Sequence, residues 1–269
     1  MQLVDTHCHI QSIGSDSQDH TAEMWRKEGL SLDGVIADAA AKDVTKLICV
    51  GCDLADSRLA ISVAENIAGC FAAVGIHPHE AGHHTEQAKL KDELGGFLKA
   101  DKLVGIGECG LDYFYNHSVP ADQQAVLRWQ LDLAAAHDLP VIFHVRSAFD
   151  DFWPIFDSYG TKLRGVLHSF TDSRVNLLAA LRRGLYIGVN GIATFAKDPV
   201  QLSVYKDIPS SSLLLETDSP YLTPVPFRGK VNKPEQILTI AEFLADLRHE
   251  EVEELAGTTT ANAHLLFGV

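Results

Sequence analysis

The sequence contains no apolar run long enough to cross a bilayer. Asp, His, Arg or Gly interrupts every hydrophobic stretch well before the roughly 20 apolar residues that a transmembrane helix needs. Positive charge is also scarce, because 22 Lys and Arg residues face 36 Asp and Glu residues and leave a formal net charge of −14. Proteins that grip long duplexes usually present basic surfaces, so this balance argues against that class of protein.

Signals for secretion and for disulfide bonding are lacking as well. The amino terminus has neither the basic start nor the longer apolar block of a secretory signal, so we expect Met1 to begin the working domain and the protein to be cytoplasmic. The five cysteines are odd in number and lie in or beside apolar runs, which favours buried thiols: Cys8, Cys49, Cys52, Cys70 and Cys109. No tract rich in Pro, Gly and Ser indicates a linker, and the composition predicts a globular fold.

Short β-rich runs alternate with helical segments along the whole chain. Each run is nearly continuous in apolar residues, as is typical of parallel strands that helices cover. The predicted strands are Leu3–Ile10, Lys46–Cys52, Cys70–His79, Leu103–Gly110, Val141–Ser147, Gly165–Phe170, Tyr186–Gly191 and Leu213–Asp218. Helical spacing is clear in Ala121–His137, which follows Pro120, and two more helices are expected at about Pro234–Leu247 and Glu250–Leu266.

Eight successive βα units with no change in composition predict one α/β domain over residues 1–269. The expected fold is a single (β/α)8 TIM-type barrel with extra C-terminal helices. A doubly wound open sheet is the alternative, but no G-x-G-x-x-G motif follows the first strand.

Ionisable residues cluster near the C-terminal ends of these strands, where a parallel barrel carries its active site. Side chains alternate along a strand, so the motif D-T-H-C-H places His7 and His9 on one face. The later strands add Glu108 in G-E-C-G-L-D, His144 and Arg146 in F-H-V-R, His168 in L-H-S-F and Asp218 in E-T-D-S-P. Four imidazoles and two carboxylates form a ligand set large enough for two divalent ions, with Glu108 as the candidate bridge. A structural hydrogen-bond network is the alternative, but this grouping favours a metal site.

The motifs, taken in order, resemble the TatD family of metal-dependent deoxyribonucleases, which belongs to the amidohydrolase-type barrels. The resemblance covers about Val4 to Gly268. It rests on D-T-H-C-H-I, G-I-H-P-H, G-E-C-G-L-D-Y, L-P-V-I-F-H-V-R-S-A, H-S-F-T-D-S, E-T-D-S-P-Y-L-T-P, R-G-K-V-N-K-P and N-A-H-L-L-F-G. It implies a hydrolase that cleaves phosphodiester bonds of DNA, typically as a 3′–5′ exonuclease on single strands or ends.

The resemblance also implies how the ligands are shared. The first ion would be held by His7, His9, Glu108 and Asp218, and the second by Glu108, His144 and His168. Family members imply Mg²⁺-supported activity, whereas four imidazoles favour Zn²⁺, Mn²⁺, Fe²⁺ or Ni²⁺. The family motifs Asn-Glu-Pro and N-x-x-R-L-F are altered here, with Lys233 in place of Glu and Leu265 in place of Arg. Neither residue is a proposed metal ligand, so the changes put substrate preference in question more than the catalysed reaction.

Roles beside the metals follow from position along the strands. Asp218 is predicted to act as general base, and His77 to contact the phosphate or protonate the leaving oxygen, with His79 in reserve. The planar guanidinium of Arg146 suits phosphate oxygens. Arg228 and Asn232 follow the eighth strand and are further candidates for substrate contact. Asp112 is a candidate partner for a ligand imidazole, and Tyr113, Phe114 and Phe195 are candidates for stacking on bases or for packing at the barrel rim.

The net charge of −14 predicts weak, distributive action on DNA ends or short oligonucleotides. We expect no membrane association, and no obligate protein partner is evident from the sequence. Three alternatives stay open at this point. The chain could hydrolyse esters or amides, including aminoacyl-tRNA, or it could hydrolyse phosphomonoesters. A non-catalytic metal-binding scaffold is the third.

Overall fold

The computed structural model of the protein describes residues 1–84 and 86–269. Its strands are β1 (Leu3–Cys8), β2 (Val44–Val50), β3 (Cys70–Val74), β4 (Leu103–Asp112), β5 (Val141–Arg146), β6 (Gly165–Leu167), β7 (Tyr186–Val189) and β8 (Leu213–Leu215). They form one sheet in chain order from β1 to β8. All eight predicted strands are confirmed. Most end earlier than expected, because the polar residues that follow them leave the ladder and turn into loops.

Helices follow most of the strands, as the alternation predicted. They are α1 (His20–Glu28), α2 (Leu32–Ala40), α3 (Leu54–Asn66), α4 (Gln87–Phe97), α5 (Pro120–His137), α6 (Phe149–Asp157), α7 (Arg174–Arg182), α8 (Pro199–Asp207), α9 (Ile237–Arg248) and α10 (Val252–Phe267). Helix α5 begins at Pro120, where a missing amide proton costs nothing. Helices α9 and α10 confirm the two C-terminal helices, and a short 3-10 turn at Pro234–Gln236 precedes α9.

The described chain groups into two compact units, and the first comprises Met1–Cys49 with Ser169–Val269. Within it β1 pairs with β2 and β7 pairs with β8, in both cases parallel. Cys8 forms a parallel bridge with Ser219, beyond the end of β8. Asn262 of α10 donates its amide hydrogens to Ser210 O at 2.7 Å and Leu213 O at 2.8 Å, which fixes the start of β8.

The second unit is Val50–His168 and contains the consecutive parallel strands β3 to β6. Its core includes a cluster of buried residues from the loop after β3, from α4 and from α5: Ile76, Ala81, Leu90, Leu94 and Val126. Phe143 of β5 packs edge-on against Phe152 and Phe156 of α6, with ring centroids 5.1 and 5.7 Å apart. These contacts hold β5 in place, and with it the following residue, His144.

Strands β4 and β5 approach so closely at Gly110 that only glycine fits. Gly110 has a φ of 158°, and a Cβ atom there would lie 1.8 Å from His144 O. Gly110 is in register with His144, and Asp112 is in register with Arg146. The glycine of the G-E-C-G-L-D motif therefore sets the register that brings Asp112 beside the polar end of β5.

Two expectations from composition are also met. Cys8, Cys49, Cys70 and Cys109 are buried, and Cys52 is half-buried. No helix in the described part of the chain is both long enough and apolar enough to cross a membrane.

Candidate metal centre

Three potential ligands converge in the first unit at the ends of β1 and β8. The Nε2 atoms of His7 and His9 lie 3.2 Å apart. The Oδ1 atom of Asp218 lies 3.7 Å from His7 Nε2 and 3.3 Å from His9 Nε2. Two nitrogens that bind one ion at about 2.1 Å each can lie 3.2 Å apart. This His-His-Asp group therefore fits one divalent cation that accepts mixed nitrogen and oxygen ligands.

Backbone hydrogen bonds hold Asp218 beside the end of β1. Asp218 N donates to His7 O, and His9 N donates to Ser219 O, both at 2.8 Å. Asp218 has a φ of 58°, in the left-handed region that Asp and Asn tolerate better than most residues with a side chain. The local backbone thus aims the carboxylate at the two imidazoles.

Asn232 forms hydrogen bonds with the loop that carries Asp218. Its side chain is fully buried, and Nδ2 donates to Thr217 O at 2.9 Å and to Tyr221 O at 2.6 Å. We predicted from the sequence that Asn232 contacts substrate, but the structure commits its amide group to the backbone on either side of Asp218. This setting suits a residue that positions the Asp218 loop, because a buried amide with two carbonyl partners has no free donor to offer.

Asp5 is a buried carboxyl group two residues before His7 on β1 and does not join the ligands. Its Oδ1 atom accepts from Thr217 N at 2.9 Å, and its Oδ2 atom lies 2.5 Å from Thr217 Oγ1. Burial raises the pKa of Asp5 to about 7, even though the hydrogen bonds from Thr217 and from the His7 backbone act in the opposite direction. Asp5 therefore keeps its proton in the folded protein over much of the acidic pH range.

We expect Asp5→Asn to remove one source of pH-dependent stability. Because the pKa rises from 3.8 to about 7 on folding, the folded state keeps a proton that the unfolded state has lost between these values. The free energy of unfolding should therefore fall as pH rises toward 7 and level off above it. Asparagine matches the protonated carboxyl in shape and charge, and it keeps an oxygen that accepts from Thr217 N. Urea unfolding in EDTA at pH 5 and pH 8 should show a smaller difference in the free energy of unfolding for the variant than for the wild type.

The control is Asp101→Asn at an exposed position, which should behave as wild type. Equal differences between pH 5 and pH 8 in all three proteins would contradict the role of Asp5.

A second group of ligands lies within the second unit, on β4, on β5 and directly after β6. His144 Nδ1 is 2.7 Å from Glu108 Oε1, and His168 Nε2 is 3.6 Å from the same oxygen. Glu108 and His168 are buried, and His144 is half-buried. The Glu108–His144–His168 group therefore offers one carboxylate and two imidazoles, which also fits a divalent cation.

Asp112 connects this group to its surroundings. Its Oδ2 atom lies 3.0 Å from His144 Nε2 and 3.0 Å from His79 Nε2, while Oδ1 accepts from the backbone N–H groups of Phe114 and Tyr115. Burial alone would raise the pKa of Asp112, but the hydrogen bonds with His144 and His79 outweigh it and hold the pKa well below its usual value. The ionised carboxylate favours a proton on His144 Nε2 and fixes the orientation of the ring, whose Nδ1 atom faces Glu108.

The same two carboxylates determine the protonation of His144. Burial alone would lower the pKa of His144, but its hydrogen bonds with Asp112 and Glu108 outweigh that effect and raise it. Each nitrogen of the His144 ring faces a carboxylate, so positive charge on or beside the ring is stabilised. A divalent cation bound on the Nδ1 side would supply that charge.

Replacing Asp112 by Asn should weaken metal binding and catalysis together. Asp112 accepts four hydrogen bonds through two oxygens, whereas Asn has one acceptor oxygen, so either the imidazoles or the two backbone amides lose their acceptor. Loss of an outer partner of a metal-binding His costs roughly 10- to 100-fold in metal affinity or activity. Titration with Mn²⁺ and steady-state kinetics should both show a loss of this size. The exposed Asp92→Asn on α4 is the control, and unchanged Mn²⁺ affinity in Asp112→Asn would exclude the orienting role.

His77 and His79 are the two remaining histidines that the sequence analysis selected. His77 Nδ1 accepts from His79 N at 3.2 Å, so the neutral ring carries its proton on Nε2. This Nε2–H lies 3.3 Å from His144 Nδ1 and 3.7 Å from Glu108 Oε1. Burial lowers the pKa of His77 well below its usual value, although Glu108 opposes that shift, so the ring is a neutral hydrogen-bond donor.

The predicted substrate-binding arginines both stack on aromatic rings. The Arg146 guanidinium carbon lies 4.4 Å from the ring centre of Phe114, within the second unit. Arg228 lies 3.9 Å from the ring centre of Phe195, within the first unit, and donates to Thr223 O at 3.0 Å. Tyr113, a candidate for base stacking, is held instead by a 2.8 Å hydrogen bond from its hydroxyl to Asp151.

Gln123 is a supporting residue that the sequence analysis missed. Its Oε1 atom accepts from Asp112 N at 2.7 Å, and its Nε2 atom donates to Asp112 O at 3.0 Å. Gln123 lies on the buried face of α5, where a polar residue at a core position is a usable signal of such a role. Lys233, which replaces the Glu of the family motif, forms salt bridges with Asp38 at 3.3 Å and Glu235 at 2.6 Å.

Comparison with known proteins identifies the family. The family model described as TatD related DNase matches residues 4–268. The chain belongs to the TatD-related DNase family. This confirms the predicted class of enzyme, a metal-dependent hydrolase of the deoxyribonuclease type.

Individual relatives resemble the chain over most of its length. An uncharacterized metal-dependent hydrolase of Bacillus subtilis, YabD, is 36% identical, and the match covers 99% of each chain. The 3′-5′ ssDNA/RNA exonuclease TatD of Escherichia coli is 34% identical over 88% of this chain and 93% of its own. The crystal structure of the TatD homologue YjjV from Escherichia coli superposes with a TM-score of 0.85 at 30% identity, covering 99% and 98% of the two chains. Together with the order of the eight strands, this similarity confirms the predicted (β/α)8 barrel fold class.

Proposed function

We propose that this TatD-related protein is a 3′–5′ exonuclease that removes nucleotides from single-stranded DNA or from DNA ends. The observation that carries the proposal is that each unit brings three nitrogen and oxygen ligands together, His7–His9–Asp218 in the first and His77–Glu108–His144 in the second, with His168 Nε2 3.6 Å from the same Glu108 oxygen. Relatives about 35% identical that are named as 3′-5′ ssDNA/RNA exonucleases support the polarity and suggest that RNA ends are also accepted.

In this proposal each group of ligands binds one divalent ion. His7, His9 and Asp218 hold the first, and Glu108, His144 and His168 hold the second. When bound, two such ions lower the pKa of a water molecule and neutralise charge on the phosphate oxygens. We propose Mg²⁺ as the activating ion, and the imidazole-rich sets also suit Zn²⁺, Mn²⁺, Fe²⁺ or Ni²⁺.

The side chains around the two ligand groups supply the remaining chemistry. Asp218 accepts the proton of the attacking water, since it supplies the carboxylate of the first group, 3.3 Å from His9 Nε2. His77 donates from Nε2 to a phosphate oxygen or to the leaving oxygen, because its Nδ1 atom is already occupied by the His79 backbone. Arg146 and Arg228 contact phosphate oxygens, and His79 adds a polar contact beside Asp112.

The acidic composition limits the kind of substrate. A net charge of −14 opposes binding to long duplexes through many phosphate contacts, so we propose distributive action on ends and short strands. Affinity should then change little with added salt. We further propose a cytoplasmic location and action without an obligate protein partner.

The test uses single-stranded oligonucleotides labelled at either end, incubated with the purified protein and Mg²⁺ or Mn²⁺. A 3′–5′ exonuclease releases a 3′ label at once as a mononucleotide and shortens a 5′-labelled strand stepwise, and EDTA abolishes both. Metal removal should leave the circular dichroism spectrum unchanged, since a barrel of this size has its own core. Failure to release any nucleotide, with metal confirmed bound, would exclude the proposal. Turnover of aminoacyl esters or terminal phosphomonoesters would then identify the substrate.

A further inference from the structure

Phe114, Tyr115 and Arg146 form an exposed cluster in the second unit, which we call the stacking platform. The guanidinium carbon of Arg146 lies 4.4 Å from the ring centre of Phe114 and 4.8 Å from that of Tyr115. The two rings are nearly perpendicular, with centroids 4.9 Å apart. The ring of His117 stacks on Tyr115, with ring centroids 5.9 Å apart. The platform therefore presents aromatic faces and one cation side by side.

Exposure distinguishes the platform from aromatic packing at a barrel rim. Phe114 is 59% exposed and Tyr115 is 51% exposed, so both rings leave much of their surface to solvent. Within residues 1–84 and 86–269, no oxygen accepts a hydrogen bond from the Arg146 guanidinium and no carboxylate pairs with it. Arg146 thus keeps its N–H edge available while its face is supported by the rings.

One carboxylate ties the platform to the second group of metal ligands. Asp112 Oδ1 accepts from Phe114 N at 2.9 Å and from Tyr115 N at 3.0 Å, while Oδ2 lies 3.0 Å from His144 Nε2. Arg146 lies two residues beyond His144 on β5 and is in register with Asp112. The rings are therefore held at a fixed position relative to His144, next to the place where the proposed function requires a phosphate.

We propose that the stacking platform binds an unpaired nucleobase of the substrate strand and so selects single-stranded ends. This inference rests on the proposed function and names the feature of the substrate that the platform recognises. Every base has a π-face, so stacking tolerates sequence variation, and the N–H edge of Arg146 contacts the phosphate beside the stacked base. A base paired within a duplex has both faces covered by its neighbours and cannot occupy the platform without unstacking.

Stacking also fits the acidic charge of the chain. A protein with a net charge of −14 gains little from releasing counterions of DNA, whereas base–aromatic contact depends weakly on salt. Recognition through bases would let an acidic enzyme bind strand ends with only a few cationic contacts.

The experiment compares the wild type with the double variant Phe114→Leu/Tyr115→Leu, which keeps apolar bulk and removes both π-faces. Binding is measured by fluorescence anisotropy in Mg²⁺ with a short oligothymidylate and with the same strand carrying stable abasic sites at its 3′ end. Terminal phosphorothioate linkages in both strands allow binding to be read without turnover. The control variant Val119→Ala removes another exposed apolar side chain a few residues further along.

We expect the double variant to weaken binding of the oligothymidylate by roughly 10-fold or more, the effect of losing base–aromatic stacking. Binding of the abasic strand should weaken much less, because that strand loses no stacked base and only the support of the Arg146 guanidinium changes. Val119→Ala should match the wild type on both strands, and all variants should keep the wild-type melting temperature because the altered side chains are exposed. In kinetics with unmodified strands, KM should rise while kcat stays the same.

Equal weakening on both strands, or equal binding of both strands by the wild type, would overturn the platform. The same holds if the wild type binds neither strand. Base-dependent binding without any metal-dependent release of nucleotides would support the platform and refute the exonuclease, so the two proposals fail separately.

Discussion

Asp218→Asn is expected to reduce the turnover of single-stranded oligonucleotides by roughly 10²- to 10⁴-fold, the usual contribution of a general base. The substitution removes the acceptor for the proton of the attacking water and one charged ligand beside His7 and His9. Folding should be preserved, because Asn tolerates the left-handed backbone that Asp218 adopts at a φ of 58°. Release of labelled mononucleotide, measured under single-turnover conditions in saturating Mn²⁺, is the readout.

A matched control exists for this substitution. Asp138 has a φ of 51° at the end of α5 and pairs only loosely with Arg164, at 3.6 Å on the surface. Asp138→Asn repeats the same chemical change in the same backbone conformation, away from either ligand group, and should keep full activity. Comparable activity in Asp218→Asn and Asp138→Asn would remove Asp218 from the mechanism.

Glu108→Gln is expected to abolish tight metal binding in the second group and to reduce turnover by more than roughly 100-fold, the upper range for loss of an outer partner. Glutamine has nearly the same shape but no charge, and its amide would meet His144 Nδ1, which now lies 2.7 Å from a carboxylate oxygen. The bound metal, measured by elemental analysis after dialysis, should decrease together with activity.

Glu80→Gln serves as the control for Glu108. Glu80 also pairs with an imidazole, His83, at 3.1 Å, but that contact is exposed and belongs to neither ligand group. Metal content and turnover should match the wild type in Glu80→Gln. Full metal content in Glu108→Gln would show that the buried carboxylate is not a ligand.

The two substitutions test different halves of the proposed chemistry. Asp218 belongs to the first unit and Glu108 to the second, and each lies in a group with two imidazoles of its own unit. If each variant loses only one equivalent of metal while both lose activity, catalysis requires both ions. This result would favour a two-ion mechanism over one ion with a structural companion.

The sequence by itself determined the strand order and most of the candidate ligands. Apolar runs of strand length report local burial, and the two-residue period of a strand puts His7 and His9 on one face whatever the rest of the chain does. The same local reasoning located α5 from Pro120 onward and both C-terminal helices. The ordered motifs sufficed to indicate the family.

Only the tertiary structure decided the partners of each polar group. Asn232 follows the eighth strand as a surface residue would, yet it is buried with its amide bonded to two carbonyls of the Asp218 loop. Tyr115 gave no signal in the sequence, but the Asp112 carboxylate draws its backbone toward His144 and exposes its ring. The direction of the His77 proton likewise depends on the backbone of His79. Periodicity is a local property of the chain, whereas hydrogen-bond partners and exposure depend on residues that only folding brings together, such as Asn232 with Thr217 and Arg146 with Tyr115.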